Sequence, residues 1–273
     1  MTSHSHGHHD SIAELLDLDA QVLHRYLLDV MTWVQAGTAG RPSLRILDVG
    51  AGTGTGTVAL ANQFPSAGVV AVDLSAEMLH HVRDRAAAGA LTGRVSTVQM
   101  NLDESWPELG SFDLVWASAA LHELSDPART FGNLFRVLNP GGLITVVEMD
   151  APPRFLEDEI GDGLEARIHA VLREVRPGSN SYPDWSANLE RAGFTSIETT
   201  TFSIDLAIDG GGTGGLYAQT YLRRIQPVVA PRLSSADRTM LDTLVADSGP
   251  LSLRQRDDLH LRAGRTAWAA VRP

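Results

Sequence analysis

An α/β fold with a mostly parallel sheet, covered by helices on both faces, is predicted by three features of this sequence. Between residues 43 and 149, five short apolar runs alternate with helical patterns, the rhythm of right-handed crossovers. A glycine-rich turn, GAGTGTG at 50–56, follows the first run and opens a helical stretch. Polar residues stand at or just past the ends of successive runs: Asp48, Asp73 and Asn101.

The elements follow in order. Ser11 and Glu14 have the form of a capping box, and Leu15, Val22, Leu23, Tyr26, Leu27, Val30, Met31 and Val34 recur at helical spacing, so residues 11–35 read as one amphipathic helix. GTAGRP at 37–42 breaks it, and SLRILDVG begins the first strand. After the glycines, Val58 to Phe64 suits a helix, GVVAVDL at 68–74 a strand, and Ser75 caps a helix to Ala88. RVSTVQM and SFDLVWAS are the next strands. Asp126 and Pro127 open a helix to Leu138, and NPGG turns the chain into LITVVEM. Beyond Asp150, residues 155–175 read as a helix, RPGSNSYP as a loop and Asp184 to Ala192 as a short helix, while GFTSIETTTFSID and LHLRAGRTAWAAV read as two more strands. Between those strands, GGGTGG at 210–215 reads as a flexible hinge into a helical insertion at about 216–248.

Composition narrows the function. The chain has 273 residues, 43% of them apolar, and no run long enough to cross a bilayer. The absence of cysteine excludes disulfides, thiolate metal sites and cysteine nucleophiles. A net charge of −11 opposes a nucleic-acid partner, and Arg223, Arg224, Arg232 and Arg238 read better as a solvated helix face than as a basic patch. The start, MTSHSHGHHD, lacks the layout of a signal peptide, which leaves the cytoplasm as the expected location. His4, His6, His8 and His9 could bind a transition metal as a flexible arm; a tract without function is the simpler reading, and no metal site is expected.

A glycine-rich strand-to-helix turn presents unpaired amides to a ligand, and nucleoside triphosphates, dinucleotides and S-adenosylmethionine all use one. A triphosphate loop would close on Lys and Ser or Thr, but Thr57 and Val58 stand there. The dinucleotide fingerprint requires a glycine at its sixth position, where Thr55 or Thr57 falls. Asp48 ends an apolar strand, where a carboxylate is unfavourable unless it meets a cation or donors, and an ammonium group would satisfy it. Asp73 can accept ribose hydroxyls, and Asn101 can read an adenine edge.

LDVGAGTG at 47–54, VVAVDLS, VQMNLD, FDLVWASAALHEL and FRVLNPGGLITVVE together resemble the five motifs of the class I S-adenosylmethionine-dependent methyltransferases. The likeness is dense over about 41–150. It implies a Rossmann-like, doubly wound sheet of seven strands with the last antiparallel, S-adenosylmethionine as cofactor, and a small-molecule methyl acceptor. By that resemblance Asp48, Gly50, Ala51, Gly52 and Gly54 hold the methionyl end, Asp73 the ribose, and Leu74, Asn101 and Leu102 the adenine; Met78 and Ala117 complete the cofactor site. The family commonly has Asp where Asn101 stands, so Asp103 is an alternative partner for the adenine amino group.

Methyl transfer from a sulfonium is an in-line displacement, governed by alignment and water exclusion. No Asn/Asp-Pro-Pro-Tyr follows the fourth strand, which argues against amino methylation of adenine or glutamine. Glu148 and Asp150 could bind a cation, although the Asp-Asn pair of metal-dependent catechol enzymes is missing. His122, just past the fourth strand, is the candidate general base; the alternative is a packing histidine.

The expected organisation is an N-terminal helical cap over 1–40 and a methyltransferase domain over 41–273, with helical lid segments at about 151–180 and 216–248. Tyr26, Trp33, Phe155, Tyr182, Trp185, Tyr217 and Tyr221 could line an acceptor pocket, though each reads first as core, and Arg265 is either a salt-bridge residue or an acceptor contact. The expectation is a methyltransferase acting on oxygen or nitrogen of a metabolite, without nucleic acid or membrane partners and with a homodimer left open. The alternatives are a non-catalytic S-adenosylmethionine-binding module and a nicotinamide-dependent oxidoreductase.

Overall fold

The computed structural model describes residues 3–38, 44–175 and 183–273, with side chains from Ile12 onward. The side chains of His4, His6, His8 and His9, the loop at 39–43 and Tyr182 therefore lie outside the described residues.

Two helices open the chain where the sequence suggests one: α1 (Ser3–Val22) and α2 (His24–Gly37). Ser11 and Glu14 fall inside α1 rather than capping it. The His24 ring nitrogen Nδ1 lies 3.1 Å from the Gln21 carbonyl, the acceptor that a continued helix would offer to the Arg25 amide.

The alternating region then folds as expected: β1 (Arg45–Val49), α3 (Thr55–Gln63), β2 (Gly68–Asp73), α4 (Ala76–Ala88), β3 (Val95–Gln99), β4 (Phe112–Ser118), α5 (Pro127–Val137) and β5 (Leu138–Met149). Ser75 caps α4 by accepting the Met78 amide at 3.3 Å, and Asp126 caps α5 by accepting the Arg129 amide at 3.0 Å. The remaining elements are α6 (Leu164–Val175), α7 (Ser186–Ala192), β6 (Thr195–Ile208), α8 (Thr213–Val229), α9 (Ser235–Leu244) and β7 (Leu259–Val271).

The sheet has seven strands in the order β3-β2-β1-β4-β5-β7-β6. The β1–β2, β1–β4, β2–β3 and β4–β5 pairs are parallel, and β7 runs antiparallel to β5. Alternation along each strand feeds two cores. Leu47, Val49, Val115, Ala117, Ile144 and Val146 pack on one face with Phe131 of α5 and Trp185, while Ile46, Leu114, Trp116, Leu143 and Val147 pack on the other with Met31 and Leu60. Strand order reverses between β1 and β4, so the open crevice lies at their carboxyl ends.

NPGG does not end the helix-to-strand connection as a separate turn; β5 already begins at Leu138. The Gly141 amide donates to the Arg272 carbonyl at 2.6 Å and the Arg272 amide to the Gly142 carbonyl at 2.9 Å, extending the ladder with β7 through the glycines.

Residues group into two compact units. One comprises Arg25–Asp150, Asn180–Phe202 and Arg265–Pro273; the other comprises Met1–His24, Ala151–Ser179 and Ser203–Gly264. Within the second, Phe155 packs against the rings of Tyr217 and Tyr221 at 5.3 and 5.6 Å, and the Tyr217 hydroxyl donates to Asp19 at 2.7 Å. Phe155, Trp185 and Tyr217 are buried core residues, and Tyr26 and Trp33 of the first unit pack edge-on against Phe202. Arg223 pairs with Asp247 at 2.7 Å, in keeping with a solvated helix face. No helix among the described residues is long and apolar enough to cross a membrane.

Two expectations in this second unit are corrected. The helix foreseen over 155–175 begins only at Leu164, because Gly161, Asp162 and Gly163 all take positive φ (61°, 51° and 77°), which no α-helix accommodates. Upstream, the buried Glu165 carboxylate accepts the amides of Phe155 and Leu156 at 2.8 and 3.1 Å, holding that stretch in a non-helical path. The second correction concerns GGGTGG, which is a close-packed strand-to-helix turn and not a flexible hinge. A Cβ on Gly210 would lie 2.2 Å from the Arg256 carbonyl oxygen, and one on Gly215 would lie 2.0 Å from the carbonyl oxygen of Gly210. The Arg254 guanidinium donates to the carbonyls of Gly210, Gly211 and Gly212, so the run is clamped from outside as well.

The two pictures of this turn separate in a stability measurement. Gly210→Ala and Gly215→Ala should each lower stability by about 2 kcal/mol or more through overpacking, whereas Gly211→Ala, whose Cβ meets nothing closer than 3.5 Å, should cost far less. Equal urea midpoints for the three variants would restore the hinge.

Candidate functional site

The site is built at the carboxyl ends of β1, β2, β4 and β5. Asp48 sits at the end of β1 and is 2% exposed. Its Oδ2 accepts the Thr57 hydroxyl at 2.5 Å, a bond reaching one turn into α3. Burial is the main reason the Asp48 carboxyl is pushed up to about 7; the Thr57 bond opposes this and the neighbouring Asp73 charge adds to it. A cation placed here would stabilise the ionised form.

The glycines of the turn have distinct causes. Gly50, Gly52 and Gly54 take φ of 68°, 52° and 88°, the left-handed region where glycine carries no penalty. Protein atoms also crowd the turn: a Cβ on Gly50 would come 2.4 Å from Ala120 Cβ, and one on Gly54 would come 2.9 Å from Val82 Cα. Gly56 answers to packing alone, since its Cβ would press within 3.0 Å of the Trp116 indole nitrogen. Close contact within the chain therefore accounts for three of the four alternate glycines, in addition to any approach by a ligand.

Asp73, at the end of β2, ties the turn to the next helix. Its Oδ2 accepts the Gly52 amide at 2.9 Å and its Oδ1 the Ser75 amide at 2.8 Å, while each oxygen retains capacity for a further donor. The Gly50 and Ala51 amides both donate to the Val72 carbonyl, at 2.8 and 3.0 Å. Leu74 beside them is 64% exposed, an apolar side chain open to a flat ligand, whereas Met78 is buried beneath the cap.

Past β3, the Asn101 amide is engaged in its own turn: Nδ2 donates to Glu104 at 3.1 Å and Oδ1 accepts the Asp103 amide at 3.0 Å. Asp103 in turn accepts the Ser125 and Asp126 amides at 3.1 and 3.2 Å, bonds that hold its carboxyl below the usual range and fasten this loop to the one after β4. Leu102 is partly covered, and Ala117 is fully buried in the core beneath the crevice.

The segment after β4 is the most constrained. Ala119 takes φ of 52°, unfavourable for a residue with a Cβ, and its amide donates to the Val147 carbonyl at 2.8 Å. A short 3₁₀ turn, Leu121–Glu123, then presents His122. Glu148 near the end of β5 is 2% exposed; its Oε1 accepts the Leu121 amide at 3.1 Å and its Oε2 lies 3.0 Å from His122 Nδ1. Glu123 approaches His122 Nε2 at 3.4 Å from an 83% exposed side chain.

The structure thus gathers Asp48, the glycine turn, Asp73, Leu74 and His122 along adjoining strand ends. The sequence reading missed the roles of Thr57 and Ala120 and treated Glu148 only as a cation ligand. A signal for Glu148 existed, since a carboxylate closing the apolar run LITVVEM calls for buried donors. Arg265, also buried, faces Met149 in the β5–β7 register.

Comparison with known proteins agrees with this architecture. Residues 46–142 match a family described as a methyltransferase domain, which bears out the resemblance read from the motifs. The chain is 35% identical over 117 residues to the ubiquinone/menaquinone biosynthesis C-methyltransferase UbiE of Vibrio parahaemolyticus, covering 42% of this chain and 45% of that protein. It is 37% identical over 113 residues to a trans-aconitate 2-methyltransferase of Deinococcus radiodurans, covering 41% of each. The chain thus spans under half the length of these two relatives. Among solved structures, YcgJ from Bacillus subtilis superposes with a TM-score of 0.57 at 18% identity, over 91% of this chain and 98% of that one, and so shares the fold.

The raised Asp48 carboxyl has a sign that can be tested on the protein alone. With a folded-state value near 7 against 3.8 for the unfolded chain, this group makes the fold lose stability as pH rises from about 4 to about 7. Asp48→Asn removes that loss, so the variant should be more stable than the parent at pH 8, by up to about 2–4 kcal/mol, and its stability should change less with pH across that window. A parent-like pH profile in the variant would contradict the assignment.

Proposed function

We propose, from the premise that residues 46–142 are a class I S-adenosylmethionine-dependent methyltransferase domain, that this chain transfers a methyl group from S-adenosylmethionine to oxygen or nitrogen of a small metabolite. The observation that carries the reading is the fully buried Asp48 carboxylate at the switch point of the sheet. A group pushed up to about 7 needs a cation, and the α-ammonium of the cofactor's methionyl end is one. Gly50, Ala51, Gly52 and Gly54 are assigned to the same end. Asp73 is assigned to the ribose through the remaining lone pairs of its two oxygens, and Leu74, Met78, Asn101 and Leu102 to the adenine. For Asn101 this requires its amide to exchange a bond with Glu104 or Asp103 for one with the base. Ala117 contributes as the floor of the site rather than as a polar contact.

His122 is assigned as general base. Held through Nδ1 by a buried carboxylate, its ring is positioned to take a proton from an acceptor, and such a base typically contributes about 10²- to 10⁴-fold in rate. Acceptor choice is assigned to the N-terminal helical segment and to the segments at about 151–180 and 216–248, which lie outside the matched family region. Both relatives named above act, by their names, on small molecules, which supports a metabolite acceptor. The net charge of −11 supports the exclusion of nucleic acid.

Titration calorimetry with S-adenosylhomocysteine should show binding that Asp48→Asn and Asp73→Ala each weaken about tenfold or more, the loss of one charged hydrogen-bonding partner, and NAD should give no heat. Heat with NAD alone would instead favour the oxidoreductase. Release of labelled methyl to a metabolite panel separates an enzyme from a silent binding module. His122→Ala and His122→Gln should keep normal binding of S-adenosylhomocysteine while turnover falls about 10²-fold or more; near-normal turnover in both would remove the base.

A further inference from the structure

Resting on the assignment of Asp48 to the methionyl ammonium, we propose that Thr57 is a positioning residue for the cofactor: its hydroxyl fixes the Asp48 carboxylate with one oxygen left for the ammonium and keeps it charged at the pH where the cofactor binds. Thr57 stands in the first turn of α3 and is fully buried. A hydroxyl in such a place is unfavourable without a partner, and a valine of the same shape would fill the space as well. The partner is Asp48. Thr57 Oγ1 donates to its Oδ2 at 2.5 Å, and the branched side chain, restricted in χ1 by the helix, keeps the donor in place. Among the described residues no donor meets Oδ1, so that oxygen is available to a ligand.

The other groups around this carboxyl do not hold its charge. In the sheet Asp48 is flanked by Ala71 of β2 and Trp116 of β4, both neutral, and α3 contains no charged residue. A Cβ on Gly56 would lie 3.7 Å from Oδ2, so the backbone of α3 also comes close. Burial opposes the charge most strongly, and Asp73, at the end of β2, repels it. Thr57 works against both. The balance leaves the carboxyl at about 7, and loss of the hydroxyl would raise it further.

This balance decides which ligands feel Thr57, and at what pH. S-adenosylmethionine and S-adenosylhomocysteine share an α-ammonium, whereas 5′-methylthioadenosine has the same nucleoside without it. Because the ionised carboxylate is the form that pairs with an ammonium, affinity for S-adenosylhomocysteine is level above the Asp48 value and falls about tenfold per pH unit below it. In the parent the fall begins near pH 7. Without the Thr57 bond it begins at higher pH. A residue that only packs would instead lower affinity for both ligands equally and at every pH.

Titration calorimetry over a range from about pH 5.5 to about pH 8 reads this difference. Thr57→Val should weaken S-adenosylhomocysteine about tenfold or more at pH 7, the loss of one hydrogen bond to a charged group, and less at pH 8. Thr57→Ser keeps the hydroxyl and should bind within about twofold of the parent. Binding of 5′-methylthioadenosine should be the same in the parent and both variants. Equal weakening of 5′-methylthioadenosine in Thr57→Val, or a fall in affinity that begins at the parental pH, overturns the role of Thr57. A second measurement uses the protein alone, labelled with ¹³C at the aspartate carboxyls. The Asp48 signal, assigned by its loss in Asp48→Asn, should titrate higher in Thr57→Val than in the parent, and equal midpoints overturn the proposal. Thr57→Ala removes the same hydroxyl and takes the same measurements if Thr57→Val does not fold. Absence of heat with S-adenosylhomocysteine in the parent counts instead against the reading under Proposed function, while the carboxyl titration still decides Thr57.

Discussion

A carboxylate kept out of water at the end of β1 sets the terms for the rest of the site. Asp48 is 2% exposed, and its Oδ2 accepts the hydroxyl of Thr57. Burial disfavours the charged form and pushes this carboxyl up to about 7, so a cation beside it would stabilise the ionised group. The surrounding turn is pressed by protein from several sides. Gly50 is pressed by Ala120, Gly54 by the backbone of Val82, and Gly56 by Trp116, so three segments crowd the alternate positions where glycine stands.

The polar groups around this turn are linked through the backbone more than through one another. Asp73 accepts two amides, Asp103 accepts two, and Glu148 accepts one and orients a histidine. Each such carboxylate converts a loop into a defined geometry, because a charge-assisted bond to a backbone amide is about twice as strong as a neutral one. The loop after β4 receives bonds from two directions, to Asp103 on one side and to Glu148 and Val147 on the other, and it holds Ala119 at an unfavourable positive φ. Strain held by that many bonds belongs to a segment whose exact shape matters.

Outside the sheet, the same economy of turns recurs. The glycines at 210–215 resemble the first turn in composition, and a strand leads into them and a helix leaves them, yet their backbone is filled by protein. Arg254 occupies three carbonyls, and Gly215 lies against Gly210. Glycine content alone thus says that a backbone approaches something closely; it does not say whether that something is a ligand or another part of the chain.

The sequence alone determined the order and period of the elements, the ends of most strands, the caps at Ser75 and Asp126, and the placing of Asp48 and Asp73 at strand ends. These follow from local periodicity and from side chains that bond backbone within a few residues. It did not determine where α1 stops, where α6 starts, or that 210–215 is packed. The first is a one-residue break at Leu23, the second turns on three consecutive positive φ values, and the third on contacts with residues more than forty positions away. Likewise, Gly50 meets Ala120 and His122 meets Glu148 only because β1, β4 and β5 lie side by side in the sheet. Pairings across such distances carry no local pattern, since the physical requirement, a filled space or a matched donor, exists only once the strands are assembled.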